Sequence, residues 1–266
     1  MDTTKLLRYK NWWIAAGVIL VLLAAVLLNA QSLWYQVQDL TFYWTERTET
    51  EIKVKEFAEE HDLFFAQYPK SLIGLLEMNP ETEDFVLQYP LQEAGELRLP
   101  EHASLREVPL FLQWDSQWGY ETYGSDFLAI TGCGPTCLAM AGYYLTGQET
   151  MNPKDVAAFA QDNGYYAKGY GSSWTLISQG GPELGLTVKE LPLVKGKMVA
   201  ALEEGDPIIL AMGAGDFTTT GHYIVLTGME DGLFRVNDPN SILRSQQLWS
   251  YEQIESQIRN IWRISR

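Results

Sequence analysis

The sequence predicts an α+β protein, and three observations carry that prediction. Apolar residues recur at helical spacing through the first half. A strongly apolar helix follows the only two cysteines. The last third changes to short runs of branched residues separated by Gly, Asp and Asn, the mark of an antiparallel sheet.

The chain opens with a basic and then apolar segment. Lys5, Arg8 and Lys10 precede WWIAAGVILVLLAAVLL (12–28), and no charge appears until Asp39. Seventeen apolar residues cover about 25 Å as a helix, and the uncharged flank extends this toward a bilayer's hydrocarbon thickness. Trp12 and Trp13 at one end, with Trp34 and Tyr35 beyond the other, suit the two interfaces. The segment therefore predicts a cytoplasmic N-terminus over 1–11 and a transmembrane signal anchor over 12–30. The remainder is placed outside the membrane, as a single-pass protein with an extracellular C-terminal domain. The competing reading is a signal peptide ending at Ala30, which gives a cleaved secreted form; the apolar run is long for that, and Leu28 suits the cleavage motif poorly.

Residues 31–68 predict a helical stalk or lid. Leu40, Tyr43 and Trp44 recur at helical spacing, and charges of both signs alternate through ERTETEIKVKEFAEEHD (46–62). As a lid, this segment would occlude a site and make its activity latent. Residues 69–266 form the main domain. Pro69 and Pro80 bound a short apolar helix, and Glu81 follows an Asn-Pro helix start. Residues 95–112 hold short strand-like runs broken by Pro100 and Pro109. CLAMAGYYL (137–145) is apolar nearly all round, which predicts a buried helix begun near Pro135 and ended by Gly147. A second helix is predicted from Pro153 to Asn163, stopped by Gly164. DPIILAMG (206–213), GHYIVLTG (221–228) and LFRVNDP (233–239) predict strands, with a hairpin turn at MEDG (229–232). Trp118 and Trp174 are assigned to the core.

Composition narrows the function. The chain has 266 residues, 46% of them hydrophobic, enough for one or two domains with a core. Its net charge of −15 repels phosphate backbones and argues against a nucleic-acid partner. No cofactor motif is present, and no cofactor is expected.

The cysteines, Cys133 and Cys137, allow a disulfide, a metal site or a reactive thiol. Residues four apart on a helix hold their Cβ atoms about 5–6 Å apart, too far for a disulfide. The three histidines, His61, His102 and His222, make no zinc spacing with the cysteines. A thiol remains. Cys133 lies between Gly132 and Gly134 at a helix start, where the macrodipole and unpaired N–H groups favour thiolate. The flanking glycines keep its sulfur approachable. Cys137, one turn deeper, reads as a small buried hydrophobe.

A cysteine nucleophile needs a base, and the base an orienting partner. His222 opens one strand, and Asn237 and Asp238 lie on the next. Antiparallel pairing brings 222 within two or three residues of 238, but the register at MEDG leaves open which of the two holds the imidazole.

QWDSQWG (113–119), GCGPTCLAM (132–140), GHYIVLTG (221–228) and VNDP (236–239), with the lead-in YPKSLIGLLEMNPETEDFVLQYP (68–90), resemble one family over about residues 65–266. It is the stand-alone extracellular branch of the bacteriocin-processing peptidases, family 39 of the cysteine peptidases, in the papain-like superfamily. The resemblance implies a papain-like fold, with a nucleophile-bearing helix packed on an antiparallel sheet. It implies Cys133 as nucleophile, His222 as base, Asp238 as orienter and Gln113 as oxyanion donor beside the Cys133 backbone N–H. Two features depart from the family's transporter-fused members: Gly precedes Cys133 where they have Asp, and Gln113 lies twenty residues before the cysteine. GYETYGSDF (119–127) must therefore loop out for Gln113 to reach the site, and Gln117 is the substitute.

The function expected is a membrane-anchored extracellular thiol hydrolase cleaving a peptide or isopeptide bond of a peptide or protein substrate through a Cys-His-Asp acyl-enzyme. GYYAKGYGSSW (164–174) and GAGDFTTTG (213–221) are candidate groove linings. Two rivals stand beside it: a cell-wall peptide hydrolase or acyl transferase with the same triad, and a non-catalytic peptide-binding or assembly module on a peptidase-like scaffold.

Overall fold

The computed structural model describes residues 19, 20, 23, 24, 26, 30–93, 96–169 and 171–266. They fall into two compact units, one ending at Ile73 and the other running from Gly74 to Arg266.

The transmembrane helix expected over 12–30, and the single-pass placement that rests on it, are corrected. Among the described residues no helix is long and apolar enough to cross a membrane. Among the described residues of this region, 19, 20, 23, 24, 26 and 30–40 are helical, and the continuous described stretch 30–40 covers about 16 Å at 1.5 Å per residue. It also carries Gln31, Ser32, Gln36, Gln38 and Asp39. Most of 12–30, and nearly all of the cleavable-signal segment, lie outside the described residues.

Within the first unit, helix α1 (Glu49–Glu60) starts at a capping box: the Thr48 side chain accepts from the Glu51 N–H, and the Glu51 carboxylate accepts from the Thr48 N–H. Lys55 is buried, and its Nζ lies 2.8 Å from Asp39 Oδ2, which compensates the cost of burying a charge. The Arg47 guanidinium lies 4.4 Å from the centre of the buried Phe42 ring. Helix α2 (Lys70–Met78) crosses the division between the units. Pro80 then opens a 3-10 turn (Pro80–Thr82), where the Asn79 side chain accepts from the Glu81 N–H at 3.1 Å.

The second unit is built on helix α3 (Cys133–Thr146). Residues 134–143 of α3 are all buried, as its all-round apolar sequence requires. Gly147 ends it with φ +68, a left-handed conformation that favours glycine, and donates its N–H to the Tyr143 carbonyl at 2.9 Å. Helix α4 (Pro153–Asp162) follows, capped by the Asn152 side chain. Strand β1 (Thr187–Glu190) and helix α5 (Lys195–Glu203) lead to β2 (Ile208–Gly213), β3 (Gly221–Glu230), β4 (Leu233–Asn237), β5 (Leu248–Trp249) and β6 (Ile258–Ser265). Asp231 (φ 49) and Gly232 (φ 79) turn β3 into β4, a two-residue loop with both residues left-handed.

The six strands form one antiparallel sheet in the order β1-β6-β2-β3-β4-β5. Its alternation divides the core. Ile209, Ala211, Tyr223, Val225 and Trp262 pack with Leu138 and Met140 of α3. Ile208, Leu210, Ile224, Leu226 and Ile261 pack with Met198 and Ala201 of α5. Each of the Val, Leu, Ile and Met side chains among these contributes roughly 1.5–3 kcal/mol by leaving water. Coverage of both faces explains why IILAMG is continuously apolar rather than alternating.

Two local expectations fail. Residues 96–112 form no strand, only a 3-10 turn at His102–Ser104; Pro100 and Pro109 each remove a ladder donor. Trp118 is buried as expected, whereas Trp174 is 50% exposed and meets the buried Trp262 edge-on at 5.9 Å.

Candidate active site

Cys133 is the first residue of α3, half-buried, and both cysteines are free thiols. The glycines beside it are set by close packing as much as by access. A Cβ on Gly134 would come within 2.6 Å of both Cβ and Oγ of Ser172, and one on Gly132 within 2.4 Å of the Leu128 carbonyl. The Gly-Cys-Gly frame thus lets the helix start press against the two-residue strand Gly171–Ser172. Ser172 is held in turn by Tyr123, with their hydroxyl oxygens 2.8 Å apart. Cys137 is fully buried, and burial pushes its thiol up, so it is no nucleophile.

His222 and Asp238 meet. The imidazole Nε2 lies 2.7 Å from Asp238 Oδ1, with the aspartate fully buried. The register decides between the two candidates: Asn237 pairs with Val225 and turns its side-chain amide to the Val108 carbonyl at 3.0 Å, leaving the imidazole to Asp238. With Nε2 committed to the carboxylate, Nδ1 is the ring nitrogen free for Cys133. Burial pulls the imidazolium pKa down, but Asp238 and then the Cys133 side chain outweigh it, and the net direction is upward. For Asp238 burial pushes up, while the imidazole and the Arg244 guanidinium outweigh it and hold the carboxyl below its ordinary range.

Gln113 reaches the same region. The stretch 119–127 folds into a ribbon, Thr122–Tyr123 against Asp126–Phe127, turned at Gly124 with φ +71. Gln113 then bridges the two halves of the site. Its N–H donates to the Pro239 carbonyl at 2.7 Å, beside Asp238, and its Nε2 donates to the Ala129 carbonyl at 2.7 Å, just before Cys133. The side chain is 3% exposed, and its Oε1 is buried without a partner among the described residues. Ala129 takes one of the two amide hydrogens. Gln117 is turned elsewhere: its Oε1 accepts from the Arg98 N–H at 2.6 Å, and its Nε2 donates to Asp115 Oδ1 at 3.3 Å.

Sequence reasoning missed two charged residues. Arg244, on the helical turn Ile242–Ser245, places Nε 2.5 Å from Asp238 Oδ2. Glu81 accepts from Ser241 Oγ at 2.5 Å and from the Ile242 N–H at 2.7 Å. The cue at Glu81 was the Asn-Pro turn before it; nothing local pointed to Arg244.

A thiol at a helix start and a buried imidazole paired with a buried carboxylate supply a candidate nucleophile, a candidate base and a group to orient it. The sequence model of the Peptidase_C39-like family matches residues 105–266, more than half of the chain, and the chain belongs to that family. The chain is also similar to two solved structures. The peptidase domain of Streptococcus ComA, a bi-functional ABC transporter involved in quorum sensing, is 18% identical, with a TM-score of 0.38 over 51% of this chain and 91% of that one. A putative C39-like peptidase from Bacillus anthracis is 16% identical, with a TM-score of 0.37 over 60% of this chain and 95% of that one. No curated protein matches the chain. Membership in this family is consistent with a peptidase.

Proposed function

We propose that this protein is a cysteine peptidase that cleaves a peptide or isopeptide bond through an acyl-enzyme. In this reading the Cys133 sulfur attacks the carbonyl carbon while the thiol proton resides on His222. The tetrahedral oxyanion takes hydrogen bonds from the Cys133 backbone N–H and the second Gln113 amide hydrogen. The intermediate collapses, the C–N bond breaks, and His222 gives its proton to the leaving amine. Water then attacks the thioester with His222 as base, releasing the acid and restoring the thiol. Asp238 holds the ring in one orientation and stabilises the imidazolium.

The observation that carries this reading is the buried 2.7 Å contact between His222 Nε2 and Asp238 Oδ1, with Cys133 acting on the same imidazole. The groove linings proposed at 164–174 and 213–221 belong to the same reading.

The test is incubation of the full chain with a mixed peptide library, read by mass spectrometry, with Cys133→Ala and His222→Ala as controls. New termini that vanish in both variants are expected. Hydroxylamine added to the reaction should trap the acyl group as a hydroxamate. Cleavage that persists in Cys133→Ala overturns the reading.

A further inference from the structure

The carboxylate that orients His222 is itself held from a third side. Asp238 Oδ1 accepts from His222 Nε2 at 2.7 Å and from the Asn240 N–H at 2.8 Å, and Oδ2 lies 2.5 Å from Arg244 Nε. The Arg244 side chain remains 27% exposed while Asp238 is fully buried. A buried carboxylate facing only one imidazole would shift its proton readily; a permanently charged guanidinium on its far oxygen keeps it ionised.

The turn carrying Arg244 is fixed from far away in sequence. Glu81, 160 residues earlier, accepts from Ser241 Oγ at 2.5 Å, from the Ile242 N–H at 2.7 Å and from the Leu243 N–H at 3.1 Å. Asn79 donates its amide to the Asn240 carbonyl at 2.6 Å. The Arg244 carbonyl accepts from Trp249 Nε1 at 3.1 Å. Asn79 and Glu81 lie in the lead-in segment 68–90, ahead of residues 105–266, where the family match falls.

We propose that Arg244 is a positioning residue for the Cys133–His222 pair, keeping the Asp238 carboxylate ionised and sharing its charge with the imidazole, and that Glu81 sets Arg244 in place by holding the turn that carries it. The proposal rests on the cysteine-peptidase reading above. Among the described residues, the charged or titratable groups that act on the His222–Asp238 pair include Cys133 and Cys137 from α3 and Arg244 from its turn. Arg244 is the only permanent cation among these. Removing its charge leaves the whole carboxylate field to the imidazole, so the imidazolium persists to higher pH. A charge of this kind moves a titration by about one unit at an effective dielectric near 20.

The test is an NMR titration of the histidine rings in the full chain. Three histidines are present, so a His222→Gln control assigns the signals, and His61 and His102 serve as internal references. Arg244→Gln is expected to raise the His222 midpoint by about one unit, Arg244→Lys to restore most of it, and Glu81→Gln to shift it the same way by less. Near-UV circular dichroism like that of the wild type shows that each variant is folded. A His222 midpoint that stays put in folded Arg244→Gln, with only thermal stability lowered, overturns the proposal. Carboxamidomethylation of Cys133 in the wild type separates the two readings. If it lowers the His222 midpoint the thiol–imidazole pair stands, and if it does not that pair fails whatever Arg244 does.

Discussion

His222 Nε2 lies 2.7 Å from Asp238 Oδ1, sixteen residues away in sequence, inside a protein core where the carboxylate has no solvent exposure. That contact fixes the ring's orientation and leaves its other nitrogen free. Its chemistry depends on charge as well as geometry.

Asp238→Asn keeps the size of the side chain and removes its charge. The imidazolium loses its counterion, and an amide NH₂ can force the wrong tautomer on the ring. Turnover on a substrate found in the library screen should fall about a hundred- to ten-thousandfold. Stability should fall by about 1–3 kcal/mol, because the amide keeps one acceptor oxygen and turns a buried NH₂ toward either Arg244 or His222; denaturant unfolding measures it.

The same pair makes stability depend on pH. The imidazolium is favoured in the fold, so its contribution is complete below the unfolded value of 6.5 and is lost as pH rises through the raised folded value. The Asp238 carboxyl is depressed, so its contribution is complete above 3.8 and is lost as pH falls through the folded value. The difference in thermal midpoint between wild type and His222→Gln should therefore be largest between 3.8 and 6.5 and narrow on either side. Scanning calorimetry across pH 3 to 10 reads it, and a difference that grows steadily with pH contradicts this assignment.

Gln113→Ala removes the side-chain donor proposed for the oxyanion. Loss of one such donor should lower kcat by about a hundred- to a thousandfold with little change in KM. Rapid alkylation of Cys133 should survive, because alkylation passes through no oxyanion.

Gly134→Ala tests the packing behind the nucleophile. The new Cβ would lie 2.6 Å from Ser172 Cβ and Oγ, which predicts a loss of about 1–3 kcal/mol from overpacking. The double variant with Ser172→Gly should recover part of that loss, measured as the coupling in a double-mutant cycle.

The thiol, its helix and the strands of the histidine and aspartate were legible because their signals are local. Gly-Cys-Gly-Pro opens α3, Gly147 closes it, and Asp231-Gly232 turns the hairpin. The choice between Asn237 and Asp238 was not legible, for a physical reason. A register shift between Leu226 and Gly228 inserts one residue beyond what the turn dictates, and a single residue exchanges the faces of a strand. Glu81 was legible only as a residue after an Asn-Pro helix start, because its contacts join residues remote in sequence, and Arg244 was invisible because it lies on a short turn without periodicity. Strand β6 was passed over because it pairs with β2 and β1, not with its chain neighbours. The apolar run near the N-terminus was read from its length, its basic flank and the aromatic residues at its ends, which fix hydrophobicity and not the extent of a helix.

The central claim is that Cys133 and His222 work as a nucleophile and base, and the most direct test is alkylation of the full chain by iodoacetamide from pH 4 to 9. Peptide mapping locates the label, with His222→Ala and Cys137→Ala alongside. The account predicts rapid labelling at Cys133 already at pH 5–6, abolished at that pH in His222→Ala and unchanged in Cys137→Ala. Labelling that begins only above about pH 8, the range of an ordinary thiol, and that is indifferent to His222, would contradict it.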